Sequence, residues 1–170
     1  MVTPPSGLLF SVQAARDWID MGAGSGGNVK IEGLIRRSET EAENYLQRAL
    51  RLQTRRAVVR VLRGRAMLEP WNAMQSVEAS TGYYGISTTW YTVNFADPNV
   101  IGLPDTGVVE WSPEYYNLAG NEWLRLTYTA GWETVPVTIV DACRDYVAWS
   151  WNDGKKMPFS WDSISTYRWL

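Results

Sequence analysis

The chain has 170 residues, of which 45% are hydrophobic, and a formal net charge of −2 at neutral pH. This length and apolar content are sufficient for one domain with a buried core, and the charge balance excludes a chain that is basic or acidic throughout. Histidine is absent and Cys143 is the one cysteine, which excludes Ser-His-Asp catalysis, zinc clusters of Cys and His, and an intramolecular disulfide framework.

The N-terminal region predicts two helices of different length. Ser11 is a suitable N-cap for a short helix over about residues 11–21, and a longer helix is predicted over about 28–46. The longer helix has one apolar stripe, formed by Ile31, Leu34, Ile35, Ser38, Ala42, Tyr45 and Leu46. The sequence GAGSGG at 22–27 predicts a flexible linker between the helices. MVTPPSGLLF lacks a basic region, and no apolar run has the length of a membrane span, so we expect neither a secretory signal nor a membrane partner.

The next region predicts β structure. Residues 51–62 are rich in β-branched side chains and lack a helical stripe, so they predict a strand. Short strands separated by Gly, Pro, Asn and Asp continue to about residue 129. We expect this segment, about 51–129, to form an antiparallel hairpin or meander inserted between the helices.

A basic stretch overlaps the start of the β region, and no acidic residue interrupts it between Glu43 and Glu69. It contains seven arginines, namely Arg48, Arg51, Arg55, Arg56, Arg60, Arg63 and Arg65. These side chains could face DNA phosphates or an acidic partner, or they could pair with carboxylates elsewhere in the chain. Both interpretations stay open. Phosphate contact would be independent of DNA sequence, because no motif for reading base edges is present.

Residues 124–152 predict a strand, a turn and a helix. Apolar and polar residues alternate from Leu124, which predicts a half-buried strand. Ala130-Gly131 predicts a turn after it, and Pro136 suits the first position of a helix over about 136–152. One face of this helix carries Ile139, Val140, Cys143, Tyr146, Val147 and Trp151. Trp149 lies outside that face, which makes it a candidate subunit-interface residue.

The last residues, 155–170, lack helical periodicity and predict an extended C-terminal tail that begins near Met157-Pro158. An apolar, aromatic tail is costly to leave in water, so it must pack on its own domain or insert into a neighbour, and we favour the neighbour. The candidate binding residues of the tail are Trp161, Ile164, Tyr167, Arg168, Trp169 and Leu170.

Aromatic residues are abundant, with ten tryptophans and nine tyrosines. Such an excess is typical of a subunit that assembles with others, although a core rich in tryptophan is the alternative. No Gly-rich phosphate loop is present, and Asp141 and Asp145 read as a solvated helix face. We therefore predict no catalytic residue, no metal ligand, no cofactor and no enzymatic function.

Four stretches carry a resemblance to one family. TYTAGWETVPVTIVDACRDYVAW resembles the C-terminal signature of tailed-phage head–tail connector proteins, also called adaptor or head-completion proteins: a strand ending in Y-x-A-G-aromatic, then V-P and an amphipathic helix. RALRLQTRRAVVRVL and MLEPWNAMQSVEAS resemble the stretches that form the first strands of that family. ISTYRWL resembles its terminal motif, in which an aromatic-arginine pair follows apolar residues.

The residues predict an α+β fold over 1–170, and the resemblance implies its role. The fold has a predominantly helical core, an inserted antiparallel β-hairpin or meander, and the extended tail. The resemblance implies a structural protein of the virion neck, assembled in the host cytoplasm, that forms a ring of twelve subunits under the portal protein. The tail would dock on the portal, DNA would pass through the lumen, and the next neck protein, a stopper or tail terminator, would assemble on the ring.

Two other functions are compatible with the composition. A nucleic-acid-binding protein would use the arginines of residues 48–65, and its affinity for DNA would depend strongly on salt. A β module that binds carbohydrate or another ligand would use exposed tryptophans and would act as a monomer.

Overall fold

The structure is a computed structural model, and it describes residues 5–21, 26–62, 64–80, 90–93, 100–111, 123–152 and 159–169. Its contacts separate into two compact units. A helical unit comprises Pro5–Arg51 and Trp132–Leu170, and a β unit contains Leu52–Gly131. The division follows from the chain path, because the chain leaves the helical unit once, builds the sheets, and then returns to it.

The described residues of the helical unit contain three α-helices: α1 (Val12–Trp18), α2 (Asn28–Leu46) and α3 (Val137–Trp151). The predicted N-cap of α1 is confirmed, since the Ala14 amide donates to Ser11 Oγ at 3.0 Å. The bounds of α2 are those predicted, and α3 lies within the predicted 136–152. In the described part of the chain, no helix combines the length and the apolarity that a membrane span requires.

The predicted helical stripes form the core of this unit. Ile31, Ile35 and Leu46 of α2 are fully buried, and Ile139 and Val147 of α3 pack in the same cluster. Gly27 precedes α2 with a φ of +81°, and a Cβ at that position would lie 3.0 Å from the Trp151 ring. The positive φ and the close ring both favour glycine there. Of the predicted linker, residues 22–25 lie outside the described residues.

The larger sheet of the β unit has four antiparallel strands in the order β1 (Gln53–Arg60), β7 (Trp123–Ala130), β3 (Ala73–Ser80) and β4 (Tyr91–Val93). The central strand β7 pairs with β1 over its whole length, from Gln53 opposite Ala130 to Arg60 opposite Trp123. The predicted alternation of β7 is confirmed, because every second residue from Leu124 is buried. Gly131 ends the strand with a φ of +107°, as the predicted turn requires.

A second antiparallel sheet has the order β2 (Arg65–Met67), β6 (Val108–Trp111) and β5 (Val100–Leu103). A 3-10 helix, Pro104–Thr106, and Gly107 connect β5 to β6. Gly107 has a φ of +66°, and a Cβ there would lie 2.1 Å from the Leu68 carbonyl oxygen. The residue before β6 must therefore be glycine.

The prediction of an extended tail is wrong for Asp162–Tyr167, which form a 3-10 helix. A 3-10 helix has three residues per turn, so its sequence does not show the 3.6-residue period that predicts an α-helix. The predicted extended start at Met157-Pro158 lies outside the described residues.

Candidate functional site

The helical unit contains a groove with a volume of about 680 Å³. It lies between the end of α1, one side of α3 and residues 159–163, and it is called the α1–α3 groove below. Trp149, Phe159 and Ala148 contribute apolar walls, and Asp20 and Asp145 contribute carboxylates. The groove is therefore an apolar surface with acidic groups.

Trp18 lines the groove and leaves 45% of its surface exposed to solvent. Its indole Nε1 donates a hydrogen bond to Asp145 Oδ1 at 3.0 Å, which fixes the ring against α3. The Arg144 guanidinium lies 5.4 Å from the Trp18 ring centre and donates to Asp141 Oδ1 at 2.8 Å. Because the hydrogen bond to Asp145 already orders the Trp18 side chain, contact with its apolar surface would cost little further side-chain entropy, as is typical of residues in protein interfaces.

Trp149, the predicted interface residue, lies on the wall of the α1–α3 groove and is half-buried. Its ring centre is 5.7 Å from that of Tyr146 and 6.1 Å from that of Phe159. Phe159 in turn meets Trp161 edge to face at 4.6 Å, and Trp161 stacks on Tyr146 at 5.5 Å. These rings form one cluster, so Trp149 is a rigid part of the surface. Its role in a subunit interface stays a prediction.

The C-terminal residues pack on their own helical unit. Ile164 is fully buried, and the Tyr167 ring meets Trp132 edge to face at 6.2 Å. The Trp169 amide donates to the Leu46 carbonyl at 3.0 Å, which ties the chain end to the end of α2. Of the predicted binding residues, Arg168 is exposed, whereas Trp161, Tyr167 and Trp169 are half-buried. Leu170 lies outside the described residues.

In the helical unit, two arginines of the basic stretch are engaged internally. The Arg48 guanidinium lies 3.8 Å from the centre of the Trp132 ring. Arg51 donates to both carboxylate oxygens of Glu39, at 2.5 and 2.9 Å, and to the Ser6 carbonyl at 2.8 Å. Glu39 is buried, and the paired guanidinium compensates its charge there.

The arginines of the β unit also meet carboxylates. Arg55 pairs with Glu69 at 2.9 Å, and the Tyr128 hydroxyl donates to the same carboxylate at 3.1 Å. Burial and the adjacent Glu69 carboxylate raise the pKa of Tyr128 well above its ordinary value. The other pairs are Arg56–Glu78 at 3.9 Å and Arg65–Glu110 at 2.7 Å. Arg60 is exposed, and Arg63 lies outside the described residues.

These pairs favour the interpretation in which the arginines meet carboxylates of the same chain. The sequence shows no acid among them, because their partners come from other elements. Among the described arginines of the stretch, Arg56, Arg60 and Arg65 are nevertheless exposed.

The one thiol lies in the helical core. Cys143 is buried beneath α2, where its Sγ donates to the Ser38 carbonyl at 3.8 Å. Burial raises the pKa of this thiol to about 12, so it stays protonated and unreactive at neutral pH. Among the residues that the structure describes, no three His, Cys, Asp or Glu side chains come together as metal ligands would.

The sequence matches no protein-family model and no curated protein. Solved structures, however, match the whole chain. One match is a chain in the neck of an empty gene transfer agent particle, reconstructed with sixfold symmetry, with a TM-score of 0.69 and 17% identity. The fold is that of a neck protein of a phage-like particle. The match covers 100% of this chain and 96% of that neck protein.

Two further structures agree with this result. They are the virion of the native gene transfer agent particle, with a TM-score of 0.65, and the neck of the native particle with twelvefold symmetry, with a TM-score of 0.64. Both are 14% identical to this chain and cover all of it. The fold thus agrees with the resemblance to head–tail connector proteins.

Proposed function

We propose that this chain is a structural subunit of the neck of a tailed phage or phage-like particle. The observation that carries the proposal is the full-length likeness to neck proteins, with TM-scores of 0.64 to 0.69. The match covers 100% of this chain and 96% of the neck protein, so the proposal does not rest on a shared fragment. The role is assembly, without catalysis.

The finer proposal is that the chain is the head–tail adaptor. Copies of it form a ring under the portal protein, twelve by the family resemblance, and the next neck component assembles on that ring. The exposed Arg168 and the half-buried Trp169 are the portal-binding candidates retained from the tail, and both contact the C-terminal end of α2, at Tyr45 and Leu46. Trp149 is the candidate at the subunit interface. DNA passing through the lumen would meet exposed arginines of the β unit, namely Arg56, Arg60 and Arg65.

The experiment is reconstitution with the portal protein of the same particle. The purified chain and portal are mixed, sedimented through a gradient and imaged by electron microscopy. We expect co-sedimentation and a ring of density at one face of the portal. Arg168→Glu should weaken this association, whereas Glu133→Lys, which changes an exposed residue outside the tail, should not. Portal and chain that never co-sediment would contradict the adaptor role.

The same preparation separates the adaptor from a free DNA-binding protein. The latter should bind duplex DNA without portal, with an affinity that falls steeply as salt rises. The pairing of Arg55, Arg56 and Arg65 with carboxylates reduces the charge available for such binding. We therefore expect weak DNA affinity for the free chain.

A further inference from the structure

Two parts of the chain meet where it leaves the helical unit and where it returns to it. The Trp132 amide donates to the Leu50 carbonyl at 3.0 Å, and the Leu50 amide donates to Glu43 Oε1 at 2.9 Å. Leu50 is fully buried, and Trp132 pairs with Arg51 in an isolated parallel bridge. Leu50, Arg51 and Trp132, called the crossing below, all belong to the helical unit. These contacts fix the last residues before the β strands and the first residue after them.

The Trp132 ring is held from two sides. The Arg48 guanidinium, from the loop that leads to the crossing, lies 3.8 Å from the centre of the ring. The Tyr167 ring, from the C-terminal 3-10 helix, meets the same ring edge to face, with 6.2 Å between the two centres. Both contacts depend on the position of the Trp132 ring, because cation–π and edge-to-face contacts have specific geometries. The ring therefore connects the loop after α2 to the C-terminal residues.

The C-terminal segment, residues 159–169, fixes the position of Tyr167. Three residues before Tyr167, Ile164 is fully buried in the cluster that contains α2 and α3 residues. Two residues after it, the Trp169 amide donates to the Leu46 carbonyl at 3.0 Å. Tyr167 itself is half-buried, so its position depends on these two neighbours. The packing of the segment on the helical unit thus sets the contact between Tyr167 and Trp132.

We propose that the C-terminal segment is a latch on the crossing, and that the Trp132 ring transmits the state of the segment. While the segment is packed on the helical unit, Tyr167 and Arg48 hold the ring, and the Trp132 amide stays bonded to Leu50. When the segment leaves that position, the ring loses its edge contact and the crossing opens more often. Arg168 is exposed and follows Tyr167 directly, so a partner that binds Arg168 acts on the crossing without touching it.

Amide hydrogen exchange of the free chain, followed by NMR, measures how often the crossing opens. Tyr167→Ala should speed exchange of the Trp132 amide at least about fivefold, because the Trp132 ring loses one of its two contacts. The Ala15 amide, which is bonded to the Ser11 carbonyl in α1, should change by less than about twofold. Tyr167→Phe keeps the ring and is the matched control, so its Trp132 amide should exchange at the wild-type rate. Unchanged exchange of the Trp132 amide in Tyr167→Ala, or equal acceleration of both amides, would overturn the proposal.

A second substitution distinguishes transmission through the ring from two independent contacts. Arg48→Met removes the guanidinium and keeps an unbranched apolar chain, so it should also speed exchange of the Trp132 amide. In the double variant with Tyr167→Ala, the acceleration should be at least about threefold smaller than the product of the two single effects, because the loss of either contact already lets the ring move away from the other. An acceleration equal to that product would overturn the proposal. Tyr167→Leu, which keeps apolar volume without an aromatic edge, takes the place of Tyr167→Ala if that variant does not fold.

Portal tests the latch through a partner, and this experiment rests on the proposed function. A portal that binds Arg168 and Trp169 where they lie in the free chain stabilises the packed segment by mass action. Exchange mass spectrometry of the co-sedimenting complex should then show exchange at Trp132 slowed at least about threefold. Unchanged or faster exchange in that complex would overturn the proposal and leave the proposed function standing. Absence of a complex would contradict the proposed function, whereas the free-chain variants decide the latch by themselves.

Discussion

Ile164→Ala tests whether the C-terminal 3-10 helix belongs to the folded helical unit. Ile164 is fully buried, and it belongs to the cluster that contains α2 and α3 residues. The substitution removes three buried carbon atoms, which at about 0.8 kcal/mol each amounts to roughly 2.4 kcal/mol of lost transfer free energy. The cavity left behind adds to this, so we expect a total loss of about 3 kcal/mol.

The assay is urea unfolding followed by the helical far-UV circular dichroism signal, with the m-value checked for constancy. Ser165→Ala changes the exposed neighbour in the same 3-10 helix and should alter the free energy of unfolding by less than about 0.5 kcal/mol. A loss below about 1 kcal/mol for Ile164→Ala would refute the reasoning. The tail would then contribute little to its own helical unit and would be available to insert into a neighbour, as the sequence interpretation favoured.

The remaining predictions concern buried or capping groups of the helical unit. Glu39→Gln should lower the free energy of unfolding in urea by about 2 kcal/mol, because it leaves the charge of Arg51 poorly compensated. Glu41→Gln, at a half-exposed position, should lower it by less than about 0.5 kcal/mol. Equal effects of the two substitutions would contradict this. Cys143 should resist Ellman's reagent until denaturant is added, and modification of the native protein would show the burial to be wrong. Burial raises the pKa of the Cys143 thiol to about 12, so the stability that the buried thiol contributes is complete below the ordinary thiol pKa. The free energy of unfolding should fall as the pH rises from that ordinary pKa towards 12, because the unfolded thiol ionises first. The fall should be shallower in Cys143→Ala. Ser11→Ala should lower helix stability by about 1 kcal/mol, and an unchanged melting curve would contradict the observed cap.

The fold match has a physical implication for sequence comparison. The chain shares only 14–17% identity with the neck proteins, yet the fold matches over its whole length. Core positions require an apolar side chain of suitable volume and not one particular residue, so the fold can persist when most identities change. The positions with tighter demands include Gly107, where a Cβ would lie 2.1 Å from the Leu68 carbonyl oxygen.

The sequence by itself determined the local elements of this protein. The apolar stripe of residues 28–46 predicted α2, and the alternation from Leu124, the turn at Gly131 and Pro136 predicted β7 followed by α3. Each of these signals is local, because the spacing of apolar residues reports which face of one helix or strand is buried. The β-sheet order has no such local signal, since neighbours such as β1 and β7 are far apart in the chain.

Only the tertiary structure decided which side chains meet. Trp18 and its acceptor Asp145 are 127 residues apart, and Tyr128 and Glu69 are 59 apart, so no window of sequence contains either pair. The burial of Ile164 likewise depends on the path that returns the chain end to α2. The α1–α3 groove exists only because that path brings the end of α1 against α3. A surface built from distant segments is set by packing, and no local pattern of apolar residues reports that packing.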